Sequence, residues 1–61
     1  MYTYTVTLDN FGSQLYRGTD LATALYKLEH AGFEATMQID YDDDGRKGQS
    51  FRHYSPIRGW Y

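Results

Sequence analysis

The sequence predicts a two-layer α+β domain in which one helix lies across an antiparallel sheet of three or four strands, in the order β-β-α-β-β. Two segments, residues 2–8 and 33–41, alternate apolar and polar side chains with a period of two, as half-buried strands do. Between them, residues 20–31 carry leucines at helical spacing. The chain has 61 residues, so we expect residues 1–61 to form a single domain.

The first two elements are predicted to form a hairpin. Along residues 2–8, tyrosine, valine and leucine alternate with threonine, a pattern typical of a strand with one buried face. Residues 9–13 contain Asp9, Asn10 and Gly12, which favour a turn because Asx side chains bond nearby backbone and glycine adopts positive φ. Residues 14–17 are then expected to return as a short second strand, which Gly18 ends.

The helix is predicted to run from about residue 20 to residue 31. Thr19 or Asp20 can cap its N-terminus, because either side chain can accept a hydrogen bond from a first-turn N–H. Gly32 follows as the residue that ends it. Its buried face is expected to carry three leucines: Leu21, Leu25 and Leu28. These leucines are predicted to pack on apolar residues of the long strands: Val6, Leu8, Phe33, Met37 and Ile39.

The second long strand is predicted at residues 33–41, with its odd-numbered side chains facing the helix. Residues 42–48 are typical of a polar turn, in which Asp44-Gly45 is a favoured hairpin pair. Residues 49–54 are expected to pair back as a further strand. Because Pro56 has no N–H to donate to a ladder, residues 55–61 are expected to leave the sheet.

The composition excludes several classes of protein. The absence of cysteine excludes disulfides and thiolate zinc sites and favours a cytoplasmic location. No apolar run approaches the roughly 18 residues of a membrane-spanning helix, so no membrane association is expected. A formal net charge of −2 does not favour a protein that binds polyanions.

Neither a metal site nor catalytic chemistry is predicted, and no cofactor is expected. Residues 40–45 match the opening of an EF-hand calcium loop, but Phe51 stands where that loop needs a bidentate glutamate. Arg46 and Lys47 would also repel a cation, so these residues are interpreted as a solvated hairpin turn. His30 and His53 are interpreted as surface or capping residues, because no spacing pairs either with a nucleophile. We therefore expect that the protein is not an enzyme.

The aromatic content, 18% of the chain, favours a protein-binding module, since Tyr and Trp often dominate interface energetics. The acids of the second long strand and its hairpin would steer encounter with a basic partner surface. Together with aromatic residues near the C-terminus they form the predicted contact set: Glu34, Asp40, Asp42, Asp43, Asp44, Tyr54, Trp60 and Tyr61.

Two alternatives remain open for the C-terminal segment. It interleaves cations with rings, a combination that suits nucleic-acid binding: Phe51, Arg52, His53, Tyr54, Arg58, Trp60 and Tyr61. Its Trp-Tyr end either folds over the core as a lid or contacts a second chain. Because one helix cannot cover a sheet of this width, an aromatic face would stay exposed in a monomer, and a symmetric homodimer is predicted.

In its size, lack of cysteine, aromatic content and lack of catalytic motifs, the chain resembles the small accessory proteins encoded by bacteriophages and mobile elements. Capping and turn requirements alone explain the three segments that mark element boundaries: Gly18-Thr19-Asp20-Leu21, Ala31-Gly32-Phe33 and Ser55-Pro56-Ile57. Such proteins include anti-CRISPR proteins and host-takeover inhibitors, which bind and block a bacterial protein. The resemblance implies an inhibitor that acts by steric occlusion in the host cytoplasm, and it assigns no site residues.

Overall fold

The fold consists of five strands and one helix, and a computed structural model describes residues 1–61. The elements in chain order are β1 (Tyr2–Leu8), β2 (Gln14–Gly18), α1 (Leu21–Glu29), β3 (Ala35–Asp43), β4 (Arg46–Ser55) and β5 (Gly59–Trp60). The strands form one sheet in the order β2-β1-β3-β4-β5, and every neighbouring pair is antiparallel. The predicted α+β class is confirmed, and the sheet has one strand more than the upper number expected.

The extra strand corrects the prediction that the C-terminal segment leaves the sheet. Ser55 Oγ accepts hydrogen bonds from the N–H groups of Ile57 and Arg58, at 3.2 and 3.3 Å, and so closes a tight turn. Gly59, at φ +76°, redirects the chain so that Trp60 pairs with Tyr54. Pro56 lies inside this turn, where its missing N–H breaks no ladder. The chain does leave the ladder at Pro56, but the prediction was wrong for Gly59 and Trp60, because the turn returns them to the edge of β4.

The helix is shorter than predicted and ends at Glu29. Asp20 caps it by accepting hydrogen bonds from the Ala22 N–H at 3.1 Å and from Thr23 Oγ1 at 2.6 Å. The His30 N–H donates to Tyr26 O at 3.0 Å, and Gly32 follows at φ +82°. The chain therefore leaves the helix about two residues earlier than residue 31.

The second hairpin is longer than predicted because its turn contains only two residues. Asp44 and Gly45 both adopt left-handed conformations, with φ of 51° and 81°, as a tight hairpin turn requires. Pairing then continues without a bulge from Asp43↔Arg46 to Ala35↔Tyr54. Most of the predicted polar turn at residues 42–48 is thus strand, and β3 begins at Ala35 instead of Phe33.

The core lies between α1 and the central strands and contains six buried residues: Tyr4, Val6, Ala24, Leu28, Ala35 and Met37. Leu8, Leu25 and Ile39 pack against it as half-buried residues. Three residues predicted to be buried are largely exposed: Leu21 at 43%, Phe33 at 53% and Tyr41 at 40%. A helix of nine residues spans only about 13 Å, so both ends of the helix-side face remain uncovered.

The other face of the sheet, which we call the open face, has no helix against it. Val6, Met37 and Arg52 share the helix side in register, so their neighbours Thr5, Gln38 and Phe51 lie on the open face. Its side chains are mostly polar: Thr3, Thr5, Thr7, Arg17, Thr36, Gln38, Asp40, Lys47, Gln49, Phe51 and His53. A single sheet therefore presents one apolar and one polar surface.

Candidate functional site

Three connecting segments meet at one end of the sheet, which we call the loop end: residues 9–13, 30–34 and 56–61. They meet because Leu8, Ala35 and Tyr54 are neighbours in adjacent strands, so the chain enters or leaves the sheet there. Connections that rest on a rigid sheet often carry binding residues. The loop end is therefore the candidate functional site.

Hydrogen bonds hold the segments of the loop end together. The Asp9 N–H donates to Glu34 O at 3.0 Å, which joins the first connection to the second. Thr36 Oγ1 donates to Asp9 Oδ1 at 2.6 Å, and Tyr61 Oη donates to Glu34 Oε2 at 2.9 Å. All three contacts link residues at least 25 positions apart in the chain. The surface is thus organised before any partner binds.

His53 belongs to this network, although the sequence argument treated it as a surface or capping residue. Its Nδ1 lies 3.0 Å from Thr36 Oγ1. Because the threonine hydroxyl gives its single proton to Asp9, His53 must donate from Nδ1–H to make this bond. No group of three or more His, Cys, Asp or Glu side chains converges here or elsewhere in a way that could hold a metal ion.

Tyr61 connects the network to the surface of the loop end. The Tyr61 ring stacks on His53 with 5.5 Å between centroids. The Arg58 guanidinium makes a cation–π contact with the Tyr61 ring, 4.3 Å from its centroid. The hydrogen bond to the Glu34 carboxylate raises the pKa of the Tyr61 phenol, and desolvation and the nearby charge of Asp9 act in the same direction. The phenol therefore stays protonated and keeps donating to Glu34.

Large apolar side chains are exposed at the loop end, with Trp60 on the helix side against Tyr54 and Tyr61 on the open face against His53. Their exposed fractions are 62% for Phe11, 53% for Phe33, 95% for Ile57, 48% for Trp60 and 47% for Tyr61. Phe11 and Phe33 contact each other edge to face, with 5.3 Å between ring centroids. Apolar side chains clustered at one end of a small protein are typical of an interaction surface.

Two exposed apolar residues of the loop end, Phe11 and Ile57, are absent from the predicted contact set. Each is an apolar residue inside an otherwise polar turn, Asp9 to Ser13 in one case and the Ser55-Pro56 turn in the other. An apolar residue flanked by turn residues on both sides is the signal that could have identified Phe11 and Ile57, and both are exposed.

The structure divides the predicted contact set between opposite ends of the molecule. Glu34, Trp60 and Tyr61 lie at the loop end, and Tyr54 lies behind Trp60 with 5.3 Å between their rings. The hairpin acids lie at the far end of β3: Asp40, Asp42, Asp43 and Asp44. From Ala35 to Asp43 the strand extends about 26 Å. The two groups do not form one continuous surface.

The hairpin acids are also less free than the sequence suggests. Lys47 is directly opposite Asp42, and Arg46 is directly opposite Asp43. Asp40 accepts hydrogen bonds from Gln38 Nε2 at 3.0 and 3.2 Å. Of the four acids, only Asp44 has neither an opposing cation nor a side-chain donor among these contacts.

The helix α1 is too short to cross a membrane. Comparison of the chain with known protein families, with curated proteins and with solved structures found no match.

Proposed function

We propose that the protein is a small protein-binding module that recognises a partner protein through the loop end. The observation that carries this proposal is the combination of exposed Phe11, Phe33 and Trp60 with connections that are held in place by hydrogen bonds. Rigid aromatic side chains lose little conformational entropy on binding, and a preorganised surface lowers the cost further.

Trp60 has features of both alternatives for the Trp-Tyr end, a lid over the core and a contact with a second chain. The ring packs edge to face on Tyr54, which itself contacts the core. Yet 48% of the residue stays exposed. One part of the side chain acts as a lid, and the other part is available to a partner.

The resemblance to phage accessory proteins extends the proposal to an inhibitor that blocks a bacterial protein by steric occlusion, without catalysis. Exposed apolar rings at the loop end would set the dissociation rate. The hairpin acids, about 16 Å away at Asp40 and about 26 Å away at Asp43, would act only by steering a basic partner surface during encounter. Because Asp42 and Asp43 face cations, Asp44 and Asp40 would contribute most of that steering.

We also propose a two-fold homodimer through the end of the helix-side face that α1 does not reach. Tyr2 and Tyr41 are neighbours there, with 6.3 Å between ring centroids, and are 55% and 40% exposed. Pairing of this surface with its copy would bury four rings. Sedimentation at high micromolar concentration would contradict this part of the proposal if it found only a 7.1 kDa species.

Nucleic-acid binding is the second candidate, and one observation favours it. Phe51 and His53 lie next to each other on the open face, and Tyr61 stacks on His53, so three rings are available for base stacking. Asp40, Asp9 and Glu34 border the same rings and would repel phosphates. Charge therefore favours a protein partner.

The test begins with affinity capture from a bacterial lysate, with and without nuclease, followed by measurement of Kd for the captured protein. Trp60→Ala should weaken binding by about 2 kcal/mol, about thirtyfold, because a desolvated aromatic anchor is lost. Tyr26→Ala is the matched control, since Tyr26 is 59% exposed but lies on the helix, and it should leave Kd unchanged.

Two outcomes would contradict the proposal. If Trp60→Ala lowers the melting temperature but leaves Kd unchanged, Trp60 is a core lid and the loop end is not the contact surface. If capture is lost after nuclease treatment and Kd rises steeply with salt, the protein binds nucleic acid instead. Asn substitutions at Asp40 and Asp44 together should slow association without changing dissociation, as expected for steering charges, whereas Asn substitutions at Asp42 and Asp43 should change association less.

A further inference from the structure

The outer edge of β4 is mostly unpaired. β5 pairs only with Tyr54 and Ser55, and beyond it the Tyr61 N–H donates to His53 O at 3.0 Å. The rest of the strand, residues 46–52, has β3 on one side and no strand on the other. This is the longest unpaired strand edge in the sheet.

The backbone groups that face outward follow from the alternation of an antiparallel ladder. Because His53 directs its C=O outward to Tyr61, the residues two, four and six positions before it also direct their N–H and C=O groups outward. The unbroken register between β3 and β4 keeps this alternation intact. The outward groups therefore belong to Lys47, Gln49 and Phe51. Arg52 Nη1 donates to Phe51 O at 2.9 Å and satisfies one of them.

We propose that this edge accepts an extended acidic segment of a partner protein as a sixth strand of the sheet. Main-chain hydrogen bonds to Lys47, Gln49 and Phe51 would supply affinity, as in other cases of strand addition. The edge itself carries Arg46, Lys47 and Arg52 and no acid. Arg46 and Arg52 lie on the helix side and Lys47 on the open face, so acidic side chains on either face of an added strand would lie beside a cation. Asp43 and Asp42 of β3 oppose Arg46 and Lys47, whereas Arg52 is opposite Met37 and has no acid across from it.

A second copy of the chain fits this edge less well. In the two-fold register that pairs all three outward residues, Gln49 faces Gln49 and Lys47 faces Phe51. That register also places Arg46 of each copy opposite Arg52 of the other, and like charges directly opposite are destabilising.

The other edge of the sheet is a poorer template. β2 has only five residues, and a bulge interrupts its pairing with β1 between Val6 and Thr7. Bulges twist an edge away from further pairing. Charge and geometry therefore both single out β4.

This inference goes beyond the proposed function and does not depend on the loop end. Its test uses three short synthetic peptides. In the glutamate peptide valine alternates with glutamate, in the lysine peptide valine alternates with lysine, and the proline peptide is the glutamate peptide with a proline at its centre. Amide hydrogen exchange of the ¹⁵N-labelled protein is measured by NMR. At a glutamate-peptide concentration about ten times Kd, exchange at Lys47, Gln49 and Phe51 should slow about tenfold. The lysine and proline peptides should leave those amides unchanged.

A double substitution supplies the second measurement. Arg46→Gln with Arg52→Gln should weaken binding of the glutamate peptide about fivefold, and added salt should weaken it for the unmodified protein. Arg17→Gln is the matched control, because Arg17 is an exposed cation on β2, and it should have no effect. Absence of protection at these three amides, equal protection by the lysine peptide, or an unchanged Kd in the double variant would overturn the inference.

Discussion

Truncation of the three helix leucines tests the core most directly, because the same residue type occurs on one helix at three depths. Leu28 is fully buried, Leu25 is half-buried, and Leu21 is 43% exposed. Substitution of each by alanine removes the same atoms. The loss of unfolding free energy should therefore rank Leu28 above Leu25 and Leu25 above Leu21.

The magnitudes follow from burial. Leu28 lies in the core cluster with Val6 and Met37, so Leu28→Ala should cost about 2–5 kcal/mol through lost transfer energy and the cavity left behind. Leu25→Ala should cost about 1–2.5 kcal/mol, and Leu21→Ala about 1 kcal/mol or less. A domain of 61 residues has a total stability of only about 3–9 kcal/mol, so the Leu28 variant should be close to unfolding.

Urea denaturation followed by circular dichroism measures these losses at one fixed protein concentration. With an m-value of about 1 kcal/mol/M, a loss of 3 kcal/mol shifts the midpoint by about 3 M, whereas the m-value itself should not change. Leu21→Ala is the internal control. Equal losses for Leu21→Ala and Leu28→Ala would refute the placement of α1 on the sheet.

Three further predictions concern titration and burial. The hydrogen bond from Thr23 lowers the pKa of Asp20, so the Asp20 carboxylate stabilises the fold above the usual aspartate pKa of about 3.9, and this stabilisation is lost as pH falls through the lowered value. Asp20→Asn should remove this acid dependence from the melting temperature measured against pH, while the Asn side chain still caps the helix. The pKa of Tyr61 is raised, chiefly by its hydrogen bond to Glu34, so the protonated phenol stabilises the fold fully below the usual tyrosine pKa of about 10, and this stabilisation is lost as pH rises through the raised value. In the Glu34→Gln variant, tyrosinate absorbance should show that Tyr61 ionises at a lower pH than in the unmodified protein. Thr5 Oγ1 is buried without a hydrogen-bond partner, so Thr5→Val should raise the unfolding free energy by about 1 kcal/mol, and a lower melting temperature would show that the hydroxyl finds a partner.

The class of the fold and the positions of the main elements follow from local sequence patterns alone. Strict alternation along residues 2–8 specified β1, because a half-buried strand separates its side chains with the same period. The cap at Asp20 and the turn at Asp44-Gly45 were also predictable, since both depend on interactions within a few residues. The chemistry of their side chains predicts Glu34, Trp60 and Tyr61 as candidate partner contacts, but the sequence did not predict that Glu34 and Tyr61 are neighbours.

Which of these residues are neighbours depends on tertiary packing. The loop end joins Asp9, Glu34 and Tyr61 through bonds that span 25 or more positions, and no local pattern specifies such contacts. The same holds for the strand order, which places β3 beside β1 and leaves the outer edge of β4 open. Separation of Asp43 from the aromatic end by about 26 Å is likewise a consequence of strand length and register. Local interactions set the conformation of each segment, whereas the distances between segments depend on how a short helix and a long hairpin share one small core.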